Sequence, residues 1–191
     1  MKKIGIVGED PNDTDAIKNL LQKKHANALH FKQLIKNKRG HQLDNERTFH
    51  SLKIEYDDYK PHFVLFIRDA DGIVTENNKI KKVVNWFTKL NPTVENKGIL
   101  LINIYELEAL ILADISTFNR LYGTTIKFGG NVMYQTEPKE LLIQKTSKNK
   151  KKYAESHYPD IFKELDFDSV INNCMYFKTF YEDFKAATKL R

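Results

Sequence analysis

The chain predicts an α/β fold, with about four parallel or mixed strands in one sheet, helices on its faces and a helical C-terminal extension. Three observations carry that prediction. His62 to Ile67 is a mostly apolar run with Phe63, Val64, Phe66 and Ile67, the pattern of a strand buried on both faces. Lys2 to Gly8 and Gly98 to Tyr105 repeat that character. Between these runs lie segments of helical period, an alternation expected for strands joined by crossover helices.

Taken in order, residues 2–8 form a first strand. Asp10-Pro11-Asn12-Asp13 makes a turn and a helix start, with Asn12 or Asp13 as the expected cap. Ala16, Ile17, Leu20 and Leu21 share one face of that helix. Leu29, Phe31, Gln33 and Ile35 alternate with polar residues and predict a second, more exposed strand. A basic loop, residues 37–41, follows. Phe49, Leu52, Tyr56 and Tyr59 recur at helical spacing up to Pro61, ahead of the central strand. Ile80, Val83, Val84, Phe87 and Leu90 define a helix stopped at Asn91-Pro92, and the strand from Gly98 comes next. The core is expected over 1–122. Residues 123–191 read as an irregular segment or short hairpin, and then helices, the last one over roughly 168–189.

The chain has 191 residues, 41% hydrophobic and 12% aromatic, which is ample for one globular domain. A formal net charge of +6 favours an anionic partner, nucleic acid before membrane. Cys174 is the single cysteine, so no disulfide framework or cysteine zinc site is expected, and the six histidines show no ligand spacing. No apolar run reaches membrane-spanning length and no leader pattern opens the chain, so the expectation is a cytoplasmic protein without membrane contact. The glycine-lysine pattern of a P-loop is missing as well.

The chemistry lies in acids that follow the strands. Glu9 and Asp10 end the first, and Asp69 and Asp71 end the central one, at the sheet edge where open α/β folds place ligands. Spacing by two in extended backbone turns Asp69 and Asp71 the same way. Glu9, Asp69 and Asp71 therefore predict a hard-oxygen site for Mg²⁺ or Mn²⁺, suited to phosphodiester chemistry. Glu106 and Glu108 either serve the dipole of a helix opening near Tyr105 or join that site. Lys38 and Arg39, and separately Lys148, Lys150 and Lys151, are candidate phosphate contacts.

The segments IVGEDPNDTDAIKNLL, VLFIRDADG and INIYELEALILAD together resemble the Toprim domain, as found in topoisomerases, primases and overcoming-lysogenization-defect nucleases. The nearest likeness is to small stand-alone Toprim proteins of phage defence and mobile elements, often encoded beside an ATPase. The resemblance implies a Toprim fold and a Mg²⁺-dependent nuclease acting on nucleic acid under control of a partner ATPase. It also implies Glu9 as general acid/base or ligand, and Asp13, Asp69, Asp71 and Glu108 as metal ligands. Asp10 stands where the family has Gly. Two alternatives share these residues: a receiver-like module phosphorylated on Asp69, and a catalytically silent Toprim binding module.

Overall fold

The computed structural model describes residues 1–36 and 40–190. Its elements run β1 (Lys2–Val7), α1 (Pro11–Lys24), β2 (Leu29–Gln33), α2 (Glu46–Tyr59), β3 (Phe63–Asp69), α3 (Asn77–Leu90) and β4 (Gly98–Asn103). The C-terminal part continues with α4 (Glu108–Ala113), α5 (Ile115–Tyr122), α6 (Pro138–Thr146), α7 (Tyr158–Glu164), α8 (Phe167–Asn173) and α9 (Met175–Thr188). Short 3-10 turns, one of them Gly40–Asp44, join several of these.

The strands form a four-stranded, all-parallel sheet in the order β2-β1-β3-β4. The expected α/β architecture is therefore present, with every strand pair parallel. Val64, Leu65, Phe66 and Ile67 on β3 are all buried, as an inner strand covered on both faces requires. Right-handed crossovers put α1 on one face and α2 and α3 on the other, because the chain leaves β1 in one direction and β3 in the opposite one. The order reverses between β1 and β3, so the crevice at their C-terminal ends is the topological switch point.

The helical C-terminal region closes on this sheet. α7 packs on α1, and α9 lies along β4. One hydrophobic cluster runs from Ile4 and Phe66 through Phe118 to Phe177 and Phe184. Asp114 ties the two parts together: one carboxylate oxygen caps α5 by accepting from Thr117 N–H (3.3 Å), and the other accepts from Asp166 N–H (2.7 Å).

Three local expectations change. The cap of α1 is Asp10, not Asn12 or Asp13: its Oδ1 accepts from Asn12 N–H at 2.8 Å, with Pro11 in the first helical turn. Residues 123–135 form no hairpin but an irregular segment ending in a 3-10 turn. The last helix is two, because Cys174 takes an extended backbone (φ −127°, ψ 103°) that lets α9 turn away while the thiol packs at 3.9 Å from Met133 Sδ.

Candidate functional site

The β3 exit is locked to β4. Ala70 N–H donates to Asn103 C=O (2.9 Å), Asp71 N–H to Tyr105 C=O (3.0 Å), and Tyr105 N–H to Gly72 C=O (2.9 Å). Asp69 is the last β3 residue and pairs in register with Asn103, whose side-chain amide donates to Asp69 Oδ1 at 2.9 Å. Extended geometry stops there. Asp71 has a left-handed backbone (φ 52°) and is exposed, so the period-two argument for Asp-Ala-Asp does not carry past Asp69. Half-buried Asp69 is within electrostatic reach of Asp13, Glu9 and Glu108, while Asp71 acts on Glu9 and Arg68.

The inner acids arrive from three connections. Asp13 is in the first turn of α1, Asp69 ends β3, and Glu108 opens α4. Burial pushes the Asp13 carboxyl up to about 8, reinforced by Asp10, Glu108 and Glu9. Burial also holds Asp69 well above the carboxylate range; Asp13, Glu9 and Glu108 add to the rise and the Asn103 amide opposes it. Glu108 is fully buried and raised to about 7, by burial first, with Tyr158 pulling the other way and Glu106 adding to the rise. Its Oε1 accepts from Tyr153 O–H at 3.0 Å.

Glu9 differs in having a cation beside it. Arg68 Nε lies 3.2 Å from Glu9 Oε1, and the same guanidinium grips Asp44 through two bonds of 2.7 and 3.0 Å while covering the Trp86 ring at 4.7 Å. Burial raises Glu9, and Arg68 and Lys82 work against that rise. Arg68 is thus ion-paired twice, and its principal partner, Asp44, comes from a 3-10 turn that no periodicity marks. Lys79 pairs with Glu76 at 3.1 Å and also donates to the Asp71 carbonyl. Glu76 is structural, its Oε2 accepting from Ile73 N–H at 2.9 Å. Lys139 on α6 bridges Glu106 (3.3 Å) and Glu155 (3.1 Å).

The donor set suits a hard divalent cation. Among the described residues, the buried side-chain oxygens without a hydrogen-bond partner are Asn103 Oδ1, Glu106 Oε2 and Glu108 Oε2, all on the β4 exit. No three acid, histidine or cysteine side chains among the described residues already converge as a ligand set. A cation here would be held by one or two carboxylates and otherwise by water, the habit of Mg²⁺.

The basic candidates lie elsewhere. Lys148, Lys150 and Lys151 are exposed beyond the C-terminal end of α6, and Lys151 rests 4.5 Å over the Tyr122 ring. Nine residues of near-helical chain, roughly 13 Å, separate Lys139 from Lys148. Lys38 and Arg39 fall outside the described residues. Sequence reasoning missed Asn103, Tyr153, Lys82 and Lys139; only Lys82 carried a signal, on a helix with four lysines and no acid.

By class, then, this is a doubly wound α/β domain with an acid-lined crevice at its topological switch point. The chain belongs to the family described as a domain of unknown function, DUF4276, whose profile matches residues 8–185 and so spans both the sheet and the helical C-terminal region. No curated protein and no solved structure matches it. No helix among the described residues is long and apolar enough to cross a membrane.

Proposed function

We propose that the chain is a Toprim-like, metal-dependent phosphodiesterase acting on nucleic acid. The observation that carries this reading is the crowding of Asp13, Asp69 and Glu108 into one desolvated crevice, all three carboxyls raised, beside orphaned buried oxygens. Such mutual repulsion is relieved by a divalent cation. Asp13, Asp69 and Glu108 are the candidate ligands, one or two of them holding it with water completing the shell, and Asp71 stands at the rim to add a further oxygen. Mg²⁺ or Mn²⁺ supplies polarisation of a phosphodiester and acidification of a bound water.

Glu9 is the general acid/base of this proposal. Burial raises its carboxyl above that of an ordinary glutamate, the direction a general acid/base needs, and Arg68 pairs with it at 3.2 Å. Asp10 caps α1 through Oδ1 and reaches the site through its repulsion of Asp13. The setting in phage defence or a mobile element, and control by a partner ATPase, enter through the Toprim resemblance.

The test is thermal unfolding with and without Mn²⁺, paired with cleavage of labelled oligonucleotides. Wild type should gain stability from Mn²⁺ by mass action and cleave only with metal. Asp69→Asn should lose both responses, and Glu9→Gln should keep the metal shift and lose cleavage. A wild-type chain whose midpoint ignores Mn²⁺, or cleavage that survives in both variants, would refute the assignment.

A further inference from the structure

Beside the acidic crevice lies a second, larger cavity of about 570 Å³ between α2 and α3. Half-buried Phe49 and buried Trp86 line it, together with Lys81, Lys82, Asn85 and Lys89. A smaller cavity of about 140 Å³ touches Asp69 and Asp71, and Lys82 lines both, so the two are neighbours. Lys82 is also close enough to act electrostatically on Glu9.

We propose that this groove is the track along which a single strand of nucleic acid reaches the Asp69–Asp71 edge. The proposal rests on the phosphodiester chemistry assigned above and adds the form of the substrate and its path. Charge is the first argument. Helix α3 has four lysines and no acid, and positions 78, 82, 85 and 89 share one face. Lys81, Lys82 and Lys89 are exposed and, among the described residues, none is within ion-pair distance of a carboxylate. The acid that lines the groove, Asp44, has both oxygens engaged by Arg68. The wall therefore presents positive charge toward a polyanion.

Shape is the second argument. A ring beside a row of lysines is how single strands are held without sequence preference, bases against rings and phosphates along the cations, and half-buried Phe49 offers that ring. A duplex keeps its bases in its own stack and cannot use such a ring. From Asn78 to Lys89 the wall is roughly 16 Å long, the span of about five stacked phosphates.

The experiment is fluorescence anisotropy of labelled oligothymidylate, oligouridylate and a duplex of equal length, in chelator, with the full chain. Wild type should bind a single strand more tightly than the duplex, and the two single-stranded probes separate DNA from RNA. Lys81→Gln/Lys89→Gln should weaken binding about tenfold at low salt and reduce the log–log salt slope by about 1.4, at roughly 0.7 for each phosphate no longer neutralised. Both lysines are exposed, and an unchanged thermal midpoint will show that the variant folds. Lys148→Gln/Lys150→Gln/Lys151→Gln should bind like wild type. The inference is overturned if no single strand binds, if the duplex binds better, or if only the triple variant loses affinity. Strand binding lost in the α3 variant, without Mn²⁺-dependent cleavage by wild type, would uphold the groove and refute the phosphodiesterase. Cleavage with unaltered affinity in that variant would do the reverse.

Discussion

Asp13→Asn should make the metal-free protein more stable at alkaline pH. The Asp13 carboxyl is raised from 3.8 to about 8 in the folded chain. A raised acid means that the folded state binds more protons than the unfolded one between those values, so stability falls as pH climbs through that window. At ~1.4 kcal/mol per unit, four units correspond to roughly 6 kcal/mol as an upper bound. Asp13 is only part-buried, and solvent relaxation reduces the expected effect to roughly 2–4 kcal/mol. Asparagine keeps the shape and removes the charge. At about 2–4 °C per kcal/mol for a chain of this size, the variant should melt roughly 5–15 °C above wild type at about pH 8.5, and near it at about pH 5. Glu9, Asp69 and Glu108 are raised too and give the wild-type curve the same downward slope, whereas His25, lowered by burial, opposes it near neutrality. The assay is thermal unfolding followed by circular dichroism in chelator at the two pH values, repeated with Mn²⁺. A wild-type midpoint that holds or rises with pH, or a variant that melts lower at alkaline pH, would refute the electrostatic account of the crevice.

Two other substitutions probe the supports of the site. Arg68→Lys should cost roughly 1–3 kcal/mol in urea unfolding, because an ammonium cannot reproduce the fork on Asp44 while also reaching Glu9 and covering Trp86. A variant as stable as wild type would remove Arg68 as the organiser of that corner. Asp10→Ala should cost about 1 kcal/mol through loss of the α1 cap, and Asp10→Gly only a few tenths. Equal losses in the two, or a loss of metal response in Asp10→Gly, would assign Asp10 a part in the site.

The strands were legible because burial on both faces leaves an apolar run with β-branched and aromatic residues, as in Phe63 to Ile67. The helical periods between the runs left a parallel or a mixed sheet open, which strand pairing decided as all-parallel, whereas Glu9 and Asp69 could be placed at one sheet edge from their positions alone. Local pattern was weaker wherever a single residue changed the backbone. Asp71 lies two residues beyond Asp69, yet its left-handed conformation, held by the clasp to Tyr105, takes it out of the period-two pattern. Cys174 sits within an unbroken helical period and still divides α8 from α9.

What the sequence by itself determined was the α/β class, the strand and helix inventory of the sheet, and the edge where the acids gather. These follow from periodicity and strand ends, which are properties of neighbouring residues. The tertiary structure decided which acids share a solvent-poor crevice and which carry a partner. Arg68 meets Asp44 across 24 positions and Glu108 meets Tyr153 across 45. Such pairs exist only once packing has brought distant segments together and excluded water. The same desolvation raises Asp13 and Asp69, so their protonation belongs to the fold and not to the motif.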